Sequence, residues 1–364
     1  MRSITLLIKP AGPDCNLACR YCFYTAKNSL FGSGSHRMDA LLLEKLVHDT
    51  MKLGLAENLF IWQGGEPSLM GLEFYQQVVS FQQKYGVTGQ LVGNAFQTNA
   101  TLLDDEWCRF FAEYKFLVGI SLDGPQPLHD AYRCDRAGQG TFSQVMNAIE
   151  KCRENKVQFN ILTLLNDKNI TAFDELFDFF AGNHFRYLQF IPCVELDPDT
   201  AKVTDFSITP RQYGDFLIRI FDRWLEFGPE KISIRLFDSL MSYQTTGRHT
   251  NCTFNKRCDD YVVVEHNGDV FCCDFFVDNQ WKLGNISETP IGEFFNHPQK
   301  EHFAQQKKNV ASKCIVCRYY PACFGGCLKD RLILGDLQQL SYFCPSYKQF
   351  FAYALNRLMT SPGR

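Results

Sequence analysis

Three cysteines in the spacing CxxxCxxC, Cys15, Cys19 and Cys22, stand just after a short apolar run, Ile4–Ile8. Three thiolates this close suit an iron–sulfur cluster held at three corners. A [4Fe-4S] cluster is normally closed by four cysteines, so here one iron would stay open to bind something else. An open position is how a metal site does chemistry rather than only hold a fold together. A structural zinc site, or three unrelated thiols, would draw on the same residue types. A second motif, Gln63-Gly64-Gly65-Glu66-Pro67, follows another apolar run. Its two glycines allow close approach of a ligand to the backbone, and Glu66 adds a carboxylate that can accept from an ammonium group. An ordinary turn could carry the same residues.

The C-terminal third crowds nine cysteines: Cys252, Cys258, Cys272, Cys273, Cys314, Cys317, Cys323, Cys327 and Cys344. Two closed four-iron clusters would use eight thiolates and leave one over. Zinc is the structural alternative, since CxxC pairs such as Cys314/Cys317 are common zinc ligands.

These motifs need a scaffold that brings them together. Residues 1–192 alternate between strand-like apolar runs and helix-like segments. The strands are expected at Ile4–Ile8, Leu59–Trp62, Leu91–Gln97, Phe116–Leu122, Phe159–Leu165 and Tyr187–Ile191. Helices are expected at Met38–Leu53, Phe74–Lys84, Asp104–Tyr114, Phe142–Asn155 and Ala172–Asn183, with Asp104 as an N-cap. Six such repeats imply an α/β fold in which a parallel sheet curls, through right-handed crossovers, into a barrel or partial (β/α)6 barrel. The polar motifs fall at successive strand ends: the cysteine triplet, Gln63–Pro67, Gln97-Thr98-Asn99 and Ser121-Leu122-Asp123-Gly124. Barrel active sites gather at the carboxyl ends of strands, so the four motifs converge on one mouth. Residues 193–250 read as a connector with an amphipathic helix around Tyr213–Phe227. Asn267-Gly268 between Val262–Glu265 and Val270–Cys272 reads as a β-hairpin.

Composition narrows the class. The 364 residues are 45% hydrophobic, enough for a substantial core. A net charge of -3 implies no broad attraction to nucleic acid or acidic membrane. No apolar run is long enough to span a bilayer, and the N-terminus reads as a first strand rather than a signal peptide. Sixteen grouped cysteines in a chain this long argue for metal ligation in a reducing compartment, hence a cytoplasmic protein. The 33 phenylalanines are expected to pack the core, and the eight histidines show no metal-ligand spacing.

The triplet and the GGEP segment resemble those of the radical S-adenosylmethionine (SAM) superfamily, and the C-terminal cysteines resemble a SPASM domain. The stretches LIKPAGPDCNLACRYCFY (7–24), QGGEP (63–67), SLDGP (121–125), LQFIPC (188–193) and CCDFF (272–276) together are similar to the anaerobic sulfatase-maturating enzymes. The resemblance implies a radical SAM partial barrel plus connector over 1–235 and a SPASM domain over 236–364. It implies SAM and three [4Fe-4S] clusters as cofactors. Cys15, Cys19 and Cys22 would hold the open cluster, Cys252, Cys258, Cys273 and Cys327 one closed cluster, and Cys314, Cys317, Cys323 and Cys344 the other. Spacing alone leaves Cys272 open in place of Cys273, whereas the family ligand directly precedes the aspartate that here is Asp274. Cys108, Cys134, Cys152 and Cys193 are expected to be ordinary buried thiols.

By the same resemblance Tyr21 lies against the adenine, and Gln63, Gly64, Gly65 and Glu66 form the segment that meets the SAM amino group. Ser121 and Arg133 match SAM contacts, and Val194 matches a backbone contact. Arg133 suits a carboxylate, although a solvated surface arginine is the plainer reading. Asp274 matches the base that removes the substrate's thiol or hydroxyl proton; as a plain turn carboxylate it would have no role. Tyr24 either lines the same cavity or packs on the barrel rim. The implied reaction oxidises a cysteine or serine of an unfolded sulfatase, in a Cys/Ser-x-Pro-x-Arg motif, to Cα-formylglycine, fed by a flavodoxin- or ferredoxin-type electron donor. Two rivals stand beside it. One is a SPASM maturase of another ribosomal peptide; the first strand begins by residue 4, which leaves no room for the leader-binding domain many of these carry. The other is a non-enzymatic iron–sulfur electron carrier, which needs neither a GGEP segment nor an open iron.

Overall fold

The computed structural model describes residues 3–360. Among them are ten strands: β1 (Ser3–Lys9), β2 (Glu57–Trp62), β3 (Leu91–Thr98), β4 (Leu117–Ser121), β5 (Gln158–Leu165), β6 (Tyr187–Pro192), β7 (Ser233–Ile234), β8 (Val262–Glu265), β9 (Asp269–Phe271) and β10 (Lys282–Asn285). The chain groups into two compact units. One comprises Met1–Ser121, Tyr132–Phe159 and Asp259–Ala304, the other Leu122–Ala131, Asn160–Cys258 and Gln305–Arg364.

In the first unit the strand order is β10-β9-β8-β1-β2-β3-β4. Pairing is parallel from β8 through β1, β2 and β3 to β4, and antiparallel along β8-β9-β10. In the second unit β5, β6 and β7 pair in parallel. Neither run closes on itself. All six strands expected from the apolar runs form, each within a few residues of the expected bounds.

The helices between strands follow from amphipathic spacing. In Ala40–Lys52 the buried residues are Leu43, Leu46, Val47, Thr50 and Met51, the spacing of a single face. Asp39 caps it by accepting from the Leu42 N–H at 2.8 Å. Asp104 caps Asp105–Glu113 through the N–H groups of Glu106 and Trp107, as its sequence position implies. Between these helices and the strands of the first unit lies an aromatic core. Tyr75 meets Trp62 and Phe96 edge to face at 5.7 and 5.0 Å, which gives the abundant aromatics their packing role. In the second unit a Thr209/Gln212 capping box starts the helix Pro210–Phe227, which packs along Cys344–Thr360.

The hairpin β8–β9 joins the first unit, with β8 parallel to β1 in the register Leu6↔Val262 to Lys9↔Glu265. The free edge of β1 is a row of unpaired backbone groups, and β8 satisfies it while burying Val262, Val263 and Val264 completely. Gly268 takes the positive φ of 86° that the hairpin turn requires.

Candidate active site

The cysteine triplet lies in a loop after β1 that the chain holds from two sides. From one side the 132–136 segment grips it: the Ala18 N–H donates to the Cys134 carbonyl at 2.9 Å, and Arg136 donates to the Cys15 carbonyl at 2.7 Å. Cys134 is therefore a half-buried residue of the site wall rather than the core thiol expected of it. Cys108 and Cys152 are core thiols, 3.7 Å apart, and Cys193 is buried as well.

From the other side comes the GGEP loop. The Gly65 N–H donates to the Gly12 carbonyl and the Glu66 N–H to the Asp14 carbonyl, both at 2.8 Å. A Cβ on Gly65 would stand 1.9 Å from the Asp14 carbonyl oxygen, so it is the loop ahead of Cys15 that occupies the space left by this glycine. Gly65→Ala is thus expected to push that loop away and cut SAM binding at least tenfold. Equilibrium binding of SAM to the cluster-loaded variant checks this, and wild-type affinity would refute it. His36 and Arg37 hold the Asp14 side chain at 2.7 and 2.5 Å. No histidine spacing in the sequence pointed to that support.

Glu66 is a hub rather than a loose carboxylate. It is 1% exposed. Its Oε1 accepts from the Ser68 N–H and hydroxyl and from the Thr98 hydroxyl, and its Oε2 from the Asn99 N–H. Burial raises its pKa while these donors oppose the rise. Oε2, with one partner, keeps a lone pair for an incoming donor. The Asn99 side chain reaches on to the Cys15 sulfur at 3.7 Å and to Asn16 at 2.9 Å. Thr98 and Asn99 thereby tie the end of β3 to both motifs. Their position at a strand end was the only sequence signal for that role.

Tyr21 is buried among Tyr132, at 5.7 Å edge to face, and the Arg133 guanidinium, 5.5 Å over its ring. Ser121 at the end of β4 accepts from Gln97 at 3.3 Å. Val194 belongs to the second unit, where its carbonyl accepts from Lys329 at 2.7 Å and Lys329 pairs with Glu195 at 2.8 Å.

Asp274 follows β9 and is surrounded by residues distant in sequence. It forms an ion pair with Lys9 and accepts from Gln63 Nε2 at 3.1 Å. The Lys9 ammonium, itself 1% exposed, stands 3.4 Å over the Tyr24 ring. The Tyr24 hydroxyl donates to Glu265 Oε1 at 2.6 Å. Burial pushes the Glu265 carboxyl up to about 7 against the pull of Lys9. Gln63 and Tyr24 therefore both belong to the surroundings of Asp274. Lys9 and Glu265 are the members that sequence reasoning missed. The segment LIKP carries Lys9 in plain view, but nothing in the order of residues pairs it with position 274.

The remaining cysteines divide by surroundings. Cys272 is 1% exposed, its sulfur aimed at the Gln299 carbonyl, and burial pushes its thiol up to about 12. Cys273 is half-buried and its sulfur meets the Tyr261 hydroxyl at 3.4 Å. The two neighbouring thiols thus stand in different surroundings. In the second unit Cys314, Cys317, Cys323 and Cys344 line one pocket, open in part to solvent. Among the described residues no three His, Cys, Asp or Glu side chains converge as one bound ion requires. Backbone N–H groups aim at two sulfurs, Leu17 to Cys15 and Gly325 to Cys323, each at 3.4 Å. A thiol-lined pocket and donors to sulfur fit iron–sulfur clusters, whose properties such bonds tune.

Comparison with known proteins agrees with this chemistry. Residues 10–180 match the radical SAM superfamily, and residues 252–318 match SPASM, an iron–sulfur cluster-binding domain. A cysteine-type anaerobic sulfatase-maturating enzyme of Clostridium perfringens is 36% identical, over 99% of this chain and 98% of the relative. A serine-type enzyme of Bacteroides thetaiotaomicron is 35% identical, over 97% and 89% of the two chains. The solved structure of native anSMEcpe with bound AdoMet and the Cp18Cys peptide superposes with a TM-score of 0.91 at 36% identity, covering 98% of each chain.

Proposed function

The chain belongs to the anaerobic sulfatase-maturating enzymes of the radical SAM superfamily, and on that premise we propose how its own residues oxidise a sulfatase cysteine or serine to Cα-formylglycine. It is an enzyme that uses SAM and iron–sulfur clusters. When bound, SAM with the open cluster supplies a carbon radical that removes one hydrogen atom, and closed clusters supply an electron acceptor. Cys15, Cys19 and Cys22 would hold the open cluster. Cys252, Cys258, Cys273 and Cys327 would hold one closed cluster, and Cys314, Cys317, Cys323 and Cys344 the other, three clusters in all. Tyr21, Gln63, Gly64, Gly65, Glu66, Ser121, Arg133 and Val194 would hold SAM, with Gln63 also steering Asp274. Residues 1–235 would form the radical SAM part and 236–364 the SPASM part.

The observation that carries this reading is the setting of Asp274, half-buried against the fully buried Lys9. Lys9 forms an ion pair with one carboxylate oxygen and Gln63 donates to the other, so the group is held in place from two sides. Asp274 then takes the proton from the substrate thiol or hydroxyl. With one hydrogen atom gone from Cβ, loss of that proton and of one electron leaves a carbon–sulfur or carbon–oxygen double bond. A thioaldehyde exchanges sulfur for oxygen with water, whereas a serine gives the aldehyde at once. A flavodoxin- or ferredoxin-type protein would supply the priming electron. Among the described residues no helix is long and apolar enough to cross a membrane, and a cytoplasmic site of action accords with the cysteine usage.

Anaerobic turnover of a Cys-x-Pro-x-Arg peptide and its serine counterpart, read by mass spectrometry, tests the proposal. The expected change is loss of hydrogen sulfide replaced by oxygen for cysteine, or loss of two hydrogens for serine. SAM cleavage without either change would point to a maturase of other peptides. No 5′-deoxyadenosine from reduced, cluster-loaded protein would point to an electron carrier.

A further inference from the structure

Two cations are buried among the C-terminal cysteines, and among the described residues no carboxylate forms an ion pair with either. Arg331 is 0% exposed and Lys307 1% exposed. The Arg331 guanidinium donates only to backbone carbonyls, those of Gly325, Gln306, Asn309, Leu337, Lys307 and Phe324. The Lys307 ammonium donates to the carbonyls of Thr253 and Gly326. Asp330, the buried carboxylate within electrostatic range of Lys307, feels Lys329 more strongly.

The carbonyls that hold the two cations flank cysteines: Lys307 takes those of Thr253, beside Cys252, and Gly326, beside Cys327, and Arg331 takes that of Phe324, beside Cys323. Arg331 lies in electrostatic range of Cys314, Cys258 and Cys327, and Lys307 in range of Cys258, Cys327 and Cys252. Between them they reach ligands assigned to both closed clusters. Isolated charge is costly to bury unless something of opposite sign offsets it. Four thiolates on an iron–sulfur core carry net negative charge, and each added electron increases it. Net charge and buried surroundings are among the factors that set a cluster's reduction potential.

We propose that Lys307 and Arg331 raise the reduction potential of the C-terminal clusters, and so make them better acceptors for the electron that the substrate gives up. They are positioning residues, acting through the clusters and not on the substrate. The inference rests on the cluster assignment in the proposed function. It leaves the electron count of the reaction unchanged: one electron leaves the substrate and one reduces a cluster.

The test uses full-length protein with Cys15, Cys19 and Cys22 replaced by alanine, so that only the C-terminal clusters remain. Iron analysis comes first. Far fewer than about eight irons per chain would sink the cluster assignment and leave the role of the cations out of account. With the clusters present, redox titration followed by electron paramagnetic resonance is compared for Lys307→Gln, which keeps donors but loses charge, and Arg331→Lys, which keeps charge but loses most bonds. The expected result is a fall for Lys307→Gln of about tenfold in the reduced-to-oxidised ratio at fixed potential, about 59 mV for one electron, with Arg331→Lys unmoved. Unchanged potentials in Lys307→Gln, or equal shifts in both variants, would make the cations purely structural. Should Lys307→Gln not load iron, Arg331→Gln carries the same expectation. If neither neutral variant loads, loading by Lys307→Arg and Arg331→Lys upholds the need for charge, and failure of all four overturns it.

Discussion

The Asp274→Asn variant is expected to load its clusters and cleave SAM yet lose formylglycine formation by roughly 100- to 10,000-fold, the range of a positioned general base. Asparagine matches aspartate in shape and keeps an oxygen for Gln63, whose bond to Oδ2 spans 3.1 Å. It cannot take a proton at neutral pH. The loss should therefore fall on the product and not on the radical source, because among the described residues Gln63 alone of those that would hold SAM bonds to Asp274, and asparagine keeps an oxygen for it. Measuring 5′-deoxyadenosine and formylglycine in the same reaction separates the two. A formylglycine yield within threefold of the wild type would refute the assignment. Equal loss of both products would show that Asp274 supports the fold of the site instead.

Lys9→Met should be the most damaging single change to the stability of the first unit. Lys9 is fully enclosed between Asp274, the Tyr24 ring and the side of the sheet that carries Glu265. Methionine fills much the same volume but leaves two carboxylates without their cation. Breaking a buried pair by removing one partner costs about 3–5 kcal/mol, because the remaining charge stays out of water. Combining Lys9→Met with Asp274→Asn should then cost clearly less than the sum of the two single changes, since the pair shares one interaction. Denaturant unfolding of the four proteins of this cycle gives the answer. Strict additivity, or a Lys9→Met protein as stable as the wild type, would show that the ion pair contributes nothing.

The chemistry of this chain was legible in the sequence wherever it is local. Three thiols within eight residues, two glycines before a glutamate and a Cys-Asp pair are contiguous, so the family resemblance they carry can be read without knowing the fold. The six strands were legible for the same reason, since apolar runs report burial directly. Asp104 announced its helix because a cap acts on residues two and three positions away. That β8 would pair with β1 was not legible, because linear order does not record which strand edge is free.

Tertiary structure alone decided what surrounds Asp274. Gln63 reaches it across 211 residues, and Tyr24 reaches Glu265 across 241. A lysine near the end of a strand is usually solvent-facing. Lys9 is buried because the parallel register of β1 and β8 sets it beside Glu265 and close to the turn that bears Asp274. Lys307 and Arg331 likewise read as surface charges until the fold encloses them among carbonyls and thiols. The sequence by itself determined which atoms could do the chemistry, since that is a property of residue type and short spacing. Which charges stand around those atoms depends on pairing between distant strands and loops, and burial gives those charges their strength only once the pairing is made.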